Sequence, residues 1–163
     1  MTPAADVSLV VLDVDGVLTD GRLWYGPDGE SWKAFDARDG HGIKMLIAGG
    51  IGVAVISSRR SAAVTARMRE LGVSDVAQGV ADKARALGEL LKRNAIDARR
   101  VACLVDDTPD LGLMAAVGLP AAVADAHPDV LAAAGHVTHA RGGRGAVREF
   151  CDWLLAAKGG KRR

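Results

Sequence analysis

The most constraining stretch of the chain is Leu9 to Gly21, LVVLDVDGVLTDG. It begins as a nearly unbroken apolar run, the pattern of a strand buried on both faces, and therefore of a parallel sheet covered by helices. It ends in two carboxylates, Asp13 and Asp15, one residue apart and followed by Gly16. An extended chain sends both to the same side, and Gly16 lets the backbone turn and come close to whatever they hold. Like charges this close repel unless a cation or a shared proton relieves them. Alone, the stretch is compatible with a Mg²⁺ site bearing a nucleophilic aspartate, and equally with a solvated strand-end turn, since Asp and Gly are ordinary turn residues.

Further strand ends decide between these readings. Val53–Ile56 is a second buried strand and runs into Ser57-Ser58-Arg59-Arg60-Ser61, ahead of a helix over Ala62–Leu71 that Ser61 is expected to cap. A hydroxyl-bearing loop before a helix start is a ready anion site, because the first helical amides lack partners. Val101–Val105 is a third buried strand and ends in Asp106, Asp107 and, after Thr108-Pro109, Asp110. Lys83 stands in the first turn of a strongly amphipathic helix over Lys83–Asn94, with Asp82 as its N-cap; a cation there opposes the helix dipole and calls for solvent or an anion.

Between and after these lie a weak strand at Asp75–Gln78, a helix at Leu111–Val117, a strand at Leu119–Val123, a short helix at Val130–Ala134, a strand at His136–Thr138 and a closing helix at Ala146–Ala157. Asp39-Gly40-His41-Gly42 is read as an opening loop, with His41 in solvent, before a short helix over Ile43–Ala48 stopped by Gly49-Gly50. Strands alternating with helices predict an α/β fold with a mainly parallel sheet and helices on both faces. Ligands of such sheets bind beyond the carboxyl ends of the strands, near the switch in strand order. That rule gathers Asp13, Asp15, Ser57, Asp106 and Asp110 at one edge, with Lys83 entering from a helix start, which outweighs the reading as separate solvated turns.

A chain of 163 residues suits one domain over 1–163. With 21 Lys and Arg against 20 Asp and Glu, there is no electrostatic case for nucleic acid or for a membrane surface. No apolar run approaches the roughly 20 residues of a membrane helix, so a cytoplasmic setting is expected. Cys103 and Cys151 have neither metal-ligand nor disulfide spacing and read as small core residues. The basic tail, Lys158–Arg163, reads as a solvated terminus. Residues 22–35, RLWYGPDGESWKAF, read as a β-hairpin with its turn at Pro27-Asp28-Gly29, and carry Trp24, Tyr25, Trp32 and Phe35. Aromatics on a projecting hairpin pack beneath the domain or against another subunit, and without a second domain the latter gains weight.

Three or more carboxylates around one point suit a hard cation such as Mg²⁺ beside a substrate phosphate, and an aspartate nucleophile with a second aspartate as acid and base allows an aspartyl-phosphate route. The GxxxxGK[ST] loop of P-loop enzymes is absent. The order DVDGV, Ser57, Lys83 and Asp106-Asp107 with Asp110 resembles the four motifs of the haloacid dehalogenase superfamily. DVDGVLTDG, the hairpin, FDARDGHGIK, ISSRR, VADK, DDTPD, VADAHPDV and GGRGAVREFCDWLL together resemble its capless branch, the phosphatases of 3-deoxy-D-manno-octulosonate 8-phosphate in lipopolysaccharide precursor synthesis.

That resemblance implies a Rossmann-like three-layer core with no cap domain, Mg²⁺, and a homotetramer whose hairpins close the pocket. It implies Asp13 as nucleophile and Asp15 as general acid and base. Ser57 and Lys83 would hold the phosphoryl group. Asp106, Asp13 and the backbone carbonyl of Asp15 would bind the metal, oriented by Asp107 or Asp110. Arg59, Arg144 and Arg148 stand as candidates for a substrate carboxylate or an intersubunit contact, or as surface ion-pair residues. A phosphatase of a nonulosonate 9-phosphate would share the same motifs, and a non-catalytic scaffold of this fold is the reading from another class. Ser57-Ser58 replaces the usual Thr-Gly, and Val105 stands where the family commonly has Gly before its acidic pair.

Overall fold

Strand β1 (Leu9–Leu12) is buried at every position and occupies the middle of the sheet, as its apolar run requires. The computed structural model describes residues 4–159. Around β1, the strands β4 (Gly52–Ser57), β5 (Asp75–Gln78), β6 (Val101–Val105), β7 (Leu119–Ala122) and β8 (His136–Val137) form a six-stranded sheet in the order β5-β4-β1-β6-β7-β8, with every pair parallel. The chain runs outward from β1 through β4 to β5, then returns to the other side of β1 for β6, β7 and β8. The switch in strand order therefore falls at β1, and the C-terminal ends of β1, β4 and β6 share one edge.

The crossovers are helical: α1 (Ala37–Ala48), α2 (Ala62–Leu71), α3 (Lys83–Asn94), α4 (Leu111–Ala115) and α5 (Pro128–Ala133), with α6 (Ala146–Ala157) closing the chain. α1 packs on α6 and α2, while α4 packs on α3 and α5, which gives the two helical layers on either side of the sheet. Phe150, Leu12, Ile43, Leu46, Ile56, Leu87 and Leu104 are fully buried between them. Among the described residues no helix is long and apolar enough to cross a membrane. Cys103 and Cys151 are free and buried. The end of the basic tail, from residue 160, lies outside the described residues.

Three local expectations change. Helix α1 begins at Ala37, six residues before the expected start, with Asp36 as its N-cap accepting from the Arg38 amide at 2.7 Å. Its glycines serve packing instead of a turn: a Cβ on Gly42 would sit 3.1 Å from the Arg148 Cα of α6. His41 is exposed on the helix, not in a loop. Ser61 makes no side-chain cap on α2; its amide donates to Gln78 Oε1 at 2.8 Å. The helix expected over Leu111–Val117 ends at Ala115, after a 3-10 turn at Thr108–Asp110. Asp82 does cap α3, accepting from the Arg85 amide at 3.0 Å.

The N-cap of α6 is Gly145, which has no side chain to cap the helix. Asp39 of α1 supplies the missing acceptor, taking the Arg148 amide at 2.8 Å, and is itself only 1% exposed. Burial pushes its carboxyl up to about 6, against the opposing hydrogen bond from the Arg148 amide.

The hairpin forms as expected. β2 (Trp24–Gly26) pairs antiparallel with β3 (Gly29–Trp32) and stands apart from the main sheet. Trp24, Tyr25 and Trp32 are 56%, 66% and 76% exposed, whereas Phe35 packs partly buried against the core.

Candidate active site

Beyond Leu12 the chain coils into a tight turn, with the amides of Val17, Leu18 and Thr19 all directed to the Val14 carbonyl. The buried Thr19 hydroxyl accepts from the Gly16 amide at 3.4 Å and the Gly21 amide at 3.2 Å, pinning both ends of the turn. Gly16 has φ +84, and a Cβ there would fall 1.9 Å from Asp106 Oδ2, so only glycine fits. From behind, Gly142 and Gly143 bring backbone against backbone: the Gly143 amide donates to the Val17 carbonyl at 2.8 Å, and a Cβ on Gly142 would sit 1.7 Å from the Gly16 carbonyl oxygen.

This turn, the end of β4 and the end of β6 enclose a cavity of about 260 Å³ lined by Asp13, Asp15, Ser57, Arg59, Lys83 and Asp106, with Asp110 beside them. Carboxylate oxygens of Asp13, Asp106 and Asp110 all lie within 4.8 Å of one another. Lys83 Nζ reaches Asp13 at 2.9 Å and Asp110 at 2.5 Å from the first turn of α3, so its place there answers to anions and not to solvent. The 3-10 turn after β6 is what turns Asp110 inward to 1% exposure. Asp107 stays at the surface and accepts from the Thr108 amide at 2.7 Å.

The charge here is unbalanced, because one lysine faces three carboxylates. Burial, followed by Asp13, Asp110 and Asp107, pushes the Asp106 carboxyl up to about 8. Burial also raises Asp13 to about 6, with Lys83 opposing it. For Lys83, burial would lower proton affinity, but Asp13 and Asp110 outweigh it and the ammonium is held more firmly. Three clustered carboxyl groups against one ammonium, with all-oxygen donors and an Asp106 side chain that closes directly on the backbone of Gly16, fit a small hard divalent cation.

Not every residue singled out in the sequence meets here. Arg59 lines the cavity, and its guanidinium donates to the Tyr25 hydroxyl at 3.4 Å, tying the hairpin to the loop after β4. Arg144 and Arg148 do not: they line a separate groove with Arg38, Glu149 and Trp153, where Arg148 pairs with Asp152 at 3.0 Å and Arg144 with Asp20 at 3.5 Å. Their segment meets the turn that carries the site through the backbone of Gly142 and Gly143 and through the Arg144–Asp20 pair. Val105 is absorbed into the core at the end of β6. Sequence reasoning passed over Lys33, which follows β3 and contacts the Asp15 carboxylate. It is the one lysine in the stretch 22–35, masked there by the aromatics.

Residues 70–149 match the family of haloacid dehalogenase-like hydrolases. Over 159 residues, 98% of the chain, it is 47% identical to the 3-deoxy-D-manno-octulosonate 8-phosphate phosphatase KdsC of Salmonella typhi, of which it covers 85%. The chain belongs to the 3-deoxy-D-manno-octulosonate 8-phosphate phosphatase family. It is accordingly a phosphoric monoester hydrolase. The crystal structure of the Yersinia pestis phosphatase of that name superposes with a TM-score of 0.94 at 46% identity, over 97% of this chain and 85% of that one. The Moraxella catarrhalis phosphatase, solved in complex with a magnesium ion, a phosphate ion and a KDO molecule, superposes with a TM-score of 0.93 at 38% identity, over 96% of this chain and 90% of that one. Both share the Rossmann-like α/β architecture set out above.

Proposed function

We propose that the protein hydrolyses 3-deoxy-D-manno-octulosonate 8-phosphate to the free sugar acid and inorganic phosphate through an aspartyl-phosphate. The observation that carries this reading is the convergence of Asp13, Asp15, Ser57, Lys83, Asp106 and Asp110 on one cavity, in a chain so similar to KdsC over almost its whole length.

In this reading Asp13 attacks phosphorus while the P–O bond to the sugar breaks. Asp15 gives its proton to the departing sugar oxygen, then takes a proton from the water that cleaves the aspartyl-phosphate, returning both groups to their starting states. Ser57 and Lys83 hold phosphoryl oxygens, and the contact of Lys83 with Asp13 keeps the nucleophile ionised against the effect of burial. Asp13, Asp106 and the Asp15 carbonyl would hold Mg²⁺, with Asp110 steadying Lys83; the cation supplies neutralisation of charge on the transferring group. Arg59, at the mouth, faces the sugar acid.

The enzyme would act in the cytoplasm, and the exposed Trp24, Tyr25 and Trp32 support closure of the cavity by neighbouring subunits of a homotetramer. The test is phosphate release from a panel of sugar phosphates, with and without Mg²⁺. The highest kcat/KM is expected on the octulosonate 8-phosphate with Mg²⁺ present, and Asp13→Asn should abolish it. A preference for a nonulosonate 9-phosphate would reassign the substrate, and release that survives Asp13→Asn would remove the nucleophile.

A further inference from the structure

The two aspartates at the end of β1 have different cationic partners. Lys83 serves Asp13 together with Asp110, whereas Lys33 contacts Asp15 Oδ1. The Lys33 side chain is 1% exposed, and an ammonium so deeply buried is costly unless an anion compensates it. It does not line the cavity, while Asp15 does. Lys33 therefore adjoins the site through the carboxylate and forms no part of the cavity wall.

The backbone holds it there from both sides. Lys33 is the first residue after β3 and stands three residues before Asp36, the cap of α1. Tyr25 on the other hairpin strand accepts from Arg59 of the cavity rim. The hairpin is thus tied to the site at two points, and one of them is the carboxylate assigned to proton transfer.

We propose that Lys33 is a positioning residue for Asp15: its ammonium fixes one carboxylate oxygen so that the other is presented to the departing sugar oxygen. The inference rests on the reading of Asp15 as general acid and base given above. General acid catalysis demands hydrogen-bond reach of the leaving oxygen, and a small displacement of a catalytic group costs rate steeply. Lys33 thereby makes the orientation of the hairpin a determinant of the chemical step, separate from any part the hairpin aromatics play in association.

Leaving-group dependence distinguishes this from a purely structural ion pair. An alkyl oxygen needs a proton as it departs, whereas p-nitrophenolate does not. In single-turnover experiments with Mg²⁺ present, Lys33→Met is expected to slow cleavage of the octulosonate 8-phosphate by at least ~10-fold, while release of p-nitrophenolate from p-nitrophenyl phosphate stays within about 3-fold of wild type. Asp15→Asn should show the same selectivity more strongly, and Lys33→Met added to Asp15→Asn should change little further, since the two act as one unit. Lys33→Arg should restore part of the loss. If Lys33→Met fails to fold, judged by circular dichroism, Lys33→Gln and Lys33→Arg carry the same comparison. Equal slowing of both substrates, or of neither, overturns the positioning role. An Asp15→Asn enzyme that cleaves the sugar phosphate at the wild-type rate overturns instead the reading of Asp15 beneath it.

Discussion

Half-buried Asp106 and buried Asp39 both have raised proton affinity, with burial the first cause in each, but the consequences differ. At pH 7 an Asp106 carboxyl near 8 is mostly protonated, and a cation can be held only by its ionised form. Adding Mg²⁺ to the metal-free protein at pH 7 should therefore release close to one proton per chain, falling towards none by about pH 9.5, as read by pH-stat titration or by calorimetry in buffers of different ionisation enthalpy. Asp106→Asn should lose that release. Asp39 feels the charge of Arg38, but burial outweighs it. Its folded value of about 6 lies above the ordinary 3.8, so the folded chain holds the proton more tightly than the unfolded one. Its contribution to stability is present below about pH 4 and is lost as pH rises through 6. The stability of Asp39→Asn relative to wild type should rise by about 2–3 kcal/mol between pH 4 and pH 7 in denaturant titrations. No such rise would mean that the carboxylate is relieved by another route.

Among elements, the α1–α6 contact makes the sharpest prediction, because it opposes helix propensity. Alanine is better than glycine in a helix interior by about 1 kcal/mol, yet Gly42→Ala would drive a methyl against the Arg148 backbone, which cannot give way as a side chain can. A net loss of about 1–3 kcal/mol is expected. Gly88 in α3 is the control, since a Cβ there meets open space, and Gly88→Ala should gain about 0.5–1 kcal/mol by thermal or chemical unfolding. The same pair explains what the sequence could convey. The strands β1, β4 and β6 were legible because a strand buried on both faces leaves an apolar run, and α3 because its apolar face repeats. Asp13, Ser57, Lys83, Asp106 and Asp110 followed once parallel strands were assumed, as each stands at a strand end or a helix start. The start of α1 was not legible: Asp-Gly-His-Gly carries turn residues, and the need for glycine came from a helix a hundred residues further on. Lys33 and Asp39 were hidden for the same reason, since each takes its meaning from a distant partner and neither falls in a periodic pattern. Asp110 gained rank through the 3-10 turn, which turns it in towards Asp13 and Asp106 and leaves Asp107 on the exposed lining of the cavity.

On the scale of the whole molecule, the hairpin that Tyr25 ties to Arg59 of the cavity carries three large exposed aromatics. At micromolar concentration the protein should sediment as a tetramer, and Trp24→Ser combined with Trp32→Ser should shift it to smaller species; an unchanged sedimentation coefficient would place the association surface elsewhere. The site itself is assembled from segments more than a hundred residues apart. The proposed nucleophile lies at residue 13, but the turn that carries it is backed by Gly142 and Gly143, whose missing side chains let two stretches of backbone lie directly together. During synthesis, then, the aspartate at residue 13 emerges from the ribosome some 130 residues before the glycines that back its turn. A nascent chain shorter than about residue 143 holds the nucleophile without the wall behind it, so competence to hydrolyse a phosphate arrives late and all at once.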